Sequence, residues 1–281
     1  MNKVLNKYNV IGDDFFYHHT VTEENGETYY HGPEVHRQYE VLYLIRGEIS
    51  YIIEGETYNA TPGDMIFVSP NEIHTIKIDG NSTYERAVVL FDMSIMEKLI
   101  SGADVKLSLF TIENAKKLRV IDKKTVSRYG IWKTLSAMIE CSEPEPYKRL
   151  TVVSKLIEFM ISLDKIAGDA NSTPPTEVDP LIQRITEYIE RNIDKPISLP
   201  EMSRELFVST STLSHRFSEY MNMPLNRFIA VKKMHRADEL MREGHSASEV
   251  SRLVGYENYT SFFYNFKRIM GRPPTSKPFA D

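Results

Sequence analysis

The 281-residue chain contains a single cysteine, Cys141. That excludes an intramolecular disulfide and suits a reducing compartment. It has no apolar run long enough to span a membrane. Its start, Met1-Asn-Lys-Val-Leu-Asn-Lys, lacks the apolar core of a signal peptide. A cytoplasmic protein without a membrane partner is the expectation. No Ser-His-Asp series, phosphate-binding glycine loop or cysteine-based site is legible. The chain also lacks a basic surplus: its net charge is −5. The distribution says more than the total. From Asp179 onward 15 Lys+Arg face 13 Asp+Glu, a balance of +2, whereas the remainder has 19 against 26, a balance of −7. A mildly basic C-terminal part behind an acidic N-terminal part suggests division of labour.

What is present is a motif written twice between Ser198 and Pro274. Glu201 and Glu249 lie 48 residues apart; Leu213 and Phe262, like Pro224 and Pro273, lie 49 apart. The register holds with one extra residue in the second turn. Each copy opens on Ser-x-x-Glu, a capping box. Met202/Leu206 and Val250/Val254 supply one apolar face at helical spacing, and Leu213/Phe217 and Phe262/Phe266 the next. Gly255 suits a turn that needs left-handed backbone. The pattern predicts two helix-turn-helix motifs, whose second helices can enter the DNA major groove. On the first reading helix Ser211, Thr212, His215 and Arg216 should point outward, with Ser209 as cap or phosphate donor. Arg216 could take a guanine edge bidentately. On the second, Asn258, Tyr259, Thr260 and Tyr264 should face the groove, with Lys267 near the backbone. Phe217, Phe262 and Phe266 belong to the core. Between the copies, Pro224 to Arg242 reads as one helix. About eighteen residues at ~1.5 Å each give a rod of roughly 27 Å, near the ~34 Å between successive major-groove faces.

Residues 1 to about 93 read as short strands with glycine turns, among them Val41–Ile45, Ile49–Ile53, Met65–Val68 and Ala87–Phe91. A small β-barrel or sandwich is expected. From Ser94 to about Ala167 the pattern turns helical. Met96, Leu99 and Ile100 form one apolar stripe; Ile131, Leu135, Met138 and Ile139 form another, beside Trp132. A helix from about Pro146 to Lys165 carries a broad apolar surface, and its surplus face points to a homodimer. The turn formers of 168–178 read as a linker. The expected division is therefore 1–167 (barrel about 1–93, helices about 94–167), linker 168–178, and 179–281. Pro180–Arg191 should be the first helix of the last part.

Within the strand region, His36-x3-Glu40-x6-Gly47 precedes Gly63-Asp-Met-Ile-Phe-Val-Ser-Pro70-Asn71-x2-His74. This resembles the paired motifs of the cupin superfamily, with Glu34 at the first histidine position and Ser69 and Asn71 in place of the usual Pro and Gly. The resemblance implies that His36, Glu40 and His74 meet at the barrel mouth, where they can bind a divalent metal or line a ligand pocket. Because the ligand set is altered, the sequence assigns no metal; His36, Glu40 and His74 would be the ligands were one bound. Glu34, with His31, Tyr43, Arg46 and Tyr51 nearby, would suit a polyhydroxylated or anionic effector.

Residues from about 180 to 278 resemble the AraC/XylS family of bacterial transcription regulators. Both helix-turn-helix copies carry the resemblance, as do the linking helix and the closing Gly255-Tyr-Glu-Asn, Phe262, Phe266-Lys267 and Gly271-Arg-Pro-Pro. A cupin-like N-terminal sensor is common in the same family. Ser203 and Ser251 stand where the family favours Ala, and Lys232-Lys233 where Arg-x is common. Tyr264 takes a site where Arg or Lys is frequent, so the second head is expected to read less sequence than the first. The resemblance implies an α+β two-domain protein with no cofactor. It would be a DNA-binding regulator, more often an activator, controlled by a small-molecule effector such as a sugar. Effector binding would alter occupancy of double-stranded DNA or contact with RNA polymerase. Two rivals remain at this point. One is a metal-dependent cupin enzyme fused to a DNA-binding domain. The other is a ligand-independent DNA-binding dimer.

Overall fold

The computed structural model describes residues 2–11, 15–23, 28–78, 83–92, 95, 107, 118–169 and 174–275. The chain forms two compact units, Met1–Glu177 and Val178–Asp281.

The first unit is built on antiparallel strands. These are β1 (Asn2–Ile11), β2 (Phe15–Thr22), β3 (Tyr29–Glu34), β4 (Tyr39–Arg46), β5 (Ile49–Ile53), β6 (Glu56–Ala60), β7 (Met65–Val68), β8 (His74–Ile78), β9 (Tyr84–Phe91) and β10 (Val120–Ile121). One sheet runs β1-β2-β9-β4-β7-β10, and the second contains β6-β5-β8-β3 in that order. Thr176 lies along β6, its N–H donating to Thr57 O at 2.7 Å. The expected barrel or sandwich takes the form of two sheets: among the described residues no strand of one sheet pairs with a strand of the other. Side chains join them instead. Leu42, Leu44, Ile66, Val68, Val88 and Leu90 of the first sheet pack on Ile49, Tyr51, Ile53, Tyr58, Ile76 and Ile78 of the second.

Strand β4 shows why its sequence is apolar throughout. Its even residues, Leu42 and Leu44, enter the space between the sheets. Its odd residues, Tyr39, Val41 and Tyr43, meet a layer of helices on the outer face. A strand covered on both sides loses the alternation of a half-exposed one. The helices are α1 (Lys123–Arg128), α2 (Ile131–Ile139) and α3 (Tyr147–Asp169). Asp122 caps α1, accepting from the backbone N–H of Lys124 and Thr125. Ile131, Leu135 and Met138 of α2, with Val152, Leu156, Phe159, Met160 and Leu163 of α3, fill the core against the first sheet. Helix α3 runs to Asp169, past Lys165 where the turn formers suggested an end, and the Tyr129 hydroxyl donates to the Asp169 carboxylate at 2.5 Å. Tyr147, Leu150 and Ile161 of α3 stay exposed. The stripe Met96, Leu99 and Ile100 lies outside the described residues.

The second unit is all helical: α4 (Pro180–Arg191), α5 (Leu199–Leu206), α6 (Thr210–Met221), α7 (Leu225–Arg242), α8 (Ala247–Leu253) and α9 (Tyr259–Met270). Ser246 caps α8, accepting from Glu249 N at 3.3 Å. Ser198, the expected cap of α5, makes no such bond. A cap oxygen accepts from the second or third helical N–H; Pro200, the second residue, has none, and Ser198 does not engage that of Glu201, the third. The linking helix α7 buries Met234, Ala237 and Leu240 against Val250, Val254, Phe262 and Phe266. In the first head Phe217 meets Phe228 edge-on, centroids 5.0 Å apart.

Two contacts fix the second head on α7. Lys233 sends its buried ammonium to three backbone carbonyls, Ile193 O at 3.1 Å, Val254 O at 2.6 Å and Lys195 O. Burial pushes this amine down to about 8, so at neutral pH it keeps all three protons for its three acceptors. Gly255 sits beside this knot with φ +75°, and a Cβ there would lie 2.3 Å from Lys195 C. The glycine therefore serves a close approach as well as a turn.

Candidate functional site

The alternation that buries Leu42 and Leu44 also carries Glu40 inward from β4. Its carboxylate is met from three directions. Tyr51 of β5 donates its hydroxyl to Oε1 at 2.6 Å. His36, in the connection before β4, places Nε2 3.0 Å from Oε2. His74, at the start of β8, places Nε2 3.7 Å from the same oxygen. The register of β3 on β8 sets Glu34 opposite His74, its carboxylate 4.0 Å from His74 Nε2. His31 continues the chain of groups: Nδ1 is 3.5 Å from Glu34, and Nε2 accepts from the Arg86 guanidinium at 2.8 Å. Arg86 also donates to the Tyr84 hydroxyl at 3.2 Å.

Burial of Glu40 alone would raise its pKa. The His36 hydrogen bond and the two imidazoles outweigh that and hold its carboxyl well below the usual carboxylate range. For His36 the same bond outweighs burial in the other direction and raises the imidazole. Burial lowers His74, and burial together with the Arg86 charge lowers His31. Tyr51 is raised by burial and by its carboxylate neighbour. His36 Nε2, Glu40 and His74 Nε2 offer ligand atoms that all lie within 4.8 Å of one another.

Of the eight sequence-derived effector residues, six converge here: His31, Glu34, His36, Glu40, Tyr51 and His74. Two do not. Tyr43 is an odd residue of β4, so its ring points to the helices and stacks on Trp132 at 4.3 Å. Arg46 follows a register shift at the end of β4 and pairs with Glu85 at 3.4 Å, beside His19. Arg86 and Tyr84 were missed. Both are buried on β9 in phase with Val88 and Leu90. An arginine at an inward position of an apolar strand was the available signal.

In the second unit the reading helices are capped as their sequences require. Ser209 accepts from Thr212 N at 3.1 Å, and Asn258 from Thr260 N at 2.7 Å. Ser211, Thr212, His215 and Arg216 are exposed on α6, opposite buried Leu213 and Phe217. Tyr259, Thr260, Tyr264 and Lys267 are exposed on α9, opposite Phe262 and Phe266. Several of these side chains are engaged, Thr212 by the Ser209 hydroxyl at 2.8 Å and Tyr264 by the Phe263 ring. His215 is 3.8 Å from Glu219. Tyr259 leans on Phe262 and Phe263. The Arg216 guanidinium bonds Asp179 Oδ2 at 2.5 Å. Asp179 is itself the cap of α4, accepting from Leu181 N at 2.8 Å.

The family model of an AraC-like ligand-binding domain matches residues 16–121. That of a helix-turn-helix domain matches residues 202–276. The HTH-type transcriptional regulator YfiF of Bacillus subtilis, itself uncharacterized, is 25% identical over 254 residues, 86% of this chain and 76% of YfiF. The lactose operon transcription activator of Staphylococcus xylosus is 19% identical over 233 residues, 82% of this chain and 80% of the activator. The probable transcriptional regulator LumQ of Photobacterium leiognathi is 30% identical over 96 residues; that match takes in 34% of this chain and only 39% of LumQ. No helix among the described residues is long and apolar enough to cross a membrane.

Proposed function

The chain belongs to the AraC-type transcriptional regulators, joining an AraC-like ligand-binding domain to a helix-turn-helix domain, and from that premise we propose that it is an effector-controlled activator of a sugar-related operon. The observation that carries the DNA-binding part is the duplication itself. Two capped helices, α6 and α9, each bury aromatic or aliphatic residues on one face and expose polar side chains on the other. Ser209, Ser211, Thr212, His215 and Arg216 form the first reading surface. Asn258, Tyr259, Thr260, Tyr264 and Lys267 form the second. Arg216 is the side chain suited to bidentate contact with guanine.

The effector binds among His31, Glu34, His36, Glu40, Tyr51, His74 and Arg86. Several acceptors and donors packed beside one aromatic ring suit a polyhydroxylated molecule. The named function of the Staphylococcus xylosus relative supports a sugar. The protein acts in the cytoplasm as a homodimer. The exposed apolar residues Tyr147, Leu150 and Ile161 recur along one side of α3 and supply the contact. Effector binding favours one of two states of the dimer and so changes promoter occupancy or contact with RNA polymerase.

The test is binding to the DNA upstream of the protein's own gene, read by fluorescence anisotropy across a salt series, with and without a panel of sugars. A steep salt dependence, a sugar-dependent shift in affinity and roughly 5- to 150-fold weaker binding by Arg216→Ala are expected. Equal binding by that variant would remove Arg216 from the reading surface. Absence of any sequence preference would remove the function.

A further inference from the structure

The polar cluster between the two sheets of the first unit has two ends of opposite charge. In the register of β4 on β9, Leu44 stands opposite Arg86 and Glu40 opposite Leu90. Arg86 and Glu40 are thus four residues apart along the strand pair, ~13 Å between their Cα positions at ~3.3 Å per residue. On the facing sheet Ile76 pairs with both His31 and Tyr51, and His74 lies opposite Glu34 and Ile53. The carboxylate end therefore holds Glu34, Glu40 and His74, and the guanidinium end Arg86 and Tyr84, with His31 and Tyr51 between them.

The guanidinium end is incompletely satisfied. Arg86 is 6% exposed, and its Nε has no hydrogen-bond partner among the described residues. Nη1 donates to the Tyr84 hydroxyl and Nη2 to His31 Nε2. Neither acceptor is an anion: burial and the Arg86 charge both favour the neutral His31 imidazole. The nearby acids are occupied. Tyr51 and His36 hold Glu40, which acts on Arg86 through space alone, and Glu34 lies beyond the His31 ring, 3.5 Å from Nδ1. Arg119, also buried in this unit, is the contrast: two of its nitrogens donate to the two oxygens of Glu72, and one of them also to Phe67 O. A buried guanidinium without an anionic partner is costly. Nε and Nη2 share one edge of the guanidinium plane, and that edge matches a carboxylate bidentately. Here His31 uses half of it. His31 is partly exposed and precedes a register shift in β3, so it is placed to yield to a better acceptor.

We infer that the Nε–Nη2 edge of Arg86 receives a carboxylate of the effector, which makes the effector a sugar acid, a polyhydroxylated monocarboxylate, and not a neutral sugar. The inference rests on the reading that this cluster holds the effector. One guanidinium matches one negative charge, and Glu34 and Glu40 would oppose the second charge of a phosphate ester. The hydroxyls of such a molecule extend toward the carboxylate end. There Glu34 is half-exposed, and His74 Nε2 has no hydrogen-bond partner among the described residues. His74 Nδ1 donates to Glu72 O, so Nε2 accepts from a hydroxyl. Discrimination follows, because a neutral sugar leaves the buried guanidinium edge unpaired.

The test is isothermal titration calorimetry on the full-length chain with matched probes: glucose against gluconate and glucuronate, galactose against galacturonate, and a hexose phosphate. At least one of the acids should bind, at least ~10-fold tighter than its neutral parent and than the phosphate. Arg86→Met should weaken that acid roughly 10- to 150-fold and leave the neutral sugar where it was, so that the preference disappears. Arg86→Lys keeps the charge without the fork and should retain part of the preference. An arginine that only supports the fold would lower both affinities together. The urea midpoint followed by Trp132 checks folding of the variants. Should Arg86→Met misfold, Arg86→Lys decides, through a fall in the acid-to-neutral ratio. Neutral sugars that bind as tightly as the acids would overturn the inference and leave the effector site standing. So would an acid preference that survives Arg86→Met, and a hexose phosphate that binds more tightly than every acid would overturn the carboxylate assignment. No binding by any probe at millimolar concentration would overturn both the inference and the reading beneath it.

Discussion

Gly255→Ala is the substitution whose cost the structure constrains most tightly. The residue sits at φ +75°, where a side chain costs about 1–2 kcal/mol. The added Cβ would lie 2.3 Å from Lys195 C, 2.4 Å from Pro196 N and 2.5 Å from Lys195 O. All three are backbone atoms, so no side-chain rotation relieves the contact and the 195–196 segment must move. Overpacking of that kind costs about 1–3 kcal/mol. The same movement pulls Lys195 O away from the Lys233 ammonium, which also holds Ile193 O and Val254 O. The expected loss is therefore about 2–5 kcal/mol, confined to the unit Val178–Asp281. Gly244→Ala is the control. It has φ +102° but nothing within 4 Å of its Cβ position, so it carries the backbone penalty alone. Urea unfolding separates the units conveniently. The only tryptophan, Trp132, lies in Met1–Glu177 and reports that unit by fluorescence, while far-ultraviolet circular dichroism follows the helices of both units, so a helical transition that moves without Trp132 belongs to the second. The Trp132 midpoint should stay fixed and the helical transition should move, further for Gly255→Ala than for Gly244→Ala. Equal losses in the two variants would refute the close-approach argument and leave only backbone conformation.

Asp179→Ser keeps an oxygen to cap α4 but removes the partner of Arg216; operator affinity measured by anisotropy should rise a few-fold, and a fall would mean that the pair pre-organises the reading surface. Burial opposes ionisation of Asp179, but the Arg216 bond and the cap N–H groups outweigh it and hold the carboxyl below its ordinary value. Its contribution to stability is thus complete above the ordinary carboxylate pKa of about 3.9 and lost as pH falls through the lower folded value. Asp179→Asn should flatten that acid limb in pH-dependent unfolding. Leu150→Glu with Ile161→Glu places two charges on the exposed side of α3, and sedimentation should show a dimer converted to monomer with the midpoint for Trp132 unchanged. Arg119→Ala leaves Glu72 without the guanidinium that both of its oxygens accept from and frees Phe67 O. About 3–5 kcal/mol of stability should be lost, read by Trp132 fluorescence in urea.

The helical half of the molecule was legible because its determinants are local. Caps, a 3.6-residue period and a repeat in register are written within a dozen residues of where they act; Ser209 and Ser246 cap as expected, and Asn258, read only as groove-facing, caps the second reading helix. The one exception is Ser198, which makes no cap bond although Glu201 at the third helical position keeps its N–H. The strand half was legible in its elements and less so in its assembly. Which face of β4 a residue takes depends on what covers each side, and that is decided by helices about ninety residues downstream. Tyr43 was read as a pocket residue because it lies near Glu40 in sequence, yet a strand's period of two sends residues three apart to opposite faces. Arg86 was missed for the converse reason: it is 55 residues from the His31 it bonds.

The same logic bears on Arg216. Its outward direction on α6 follows from Leu213 and Phe217 alone, and the sequence reading placed it correctly on the exposed face. That it is held there follows from Asp179, 37 residues earlier, which has a separate duty as the cap of α4. A guanidinium already bonded to a carboxylate must exchange that partner for a base edge, so its net contribution to DNA affinity is the difference between two charge-assisted interactions. Arg216→Ala in the wild-type background measures only that difference. Arg216→Ala combined with Asp179→Ser measures the DNA contact itself, and the two values should differ by the strength of the intramolecular pair.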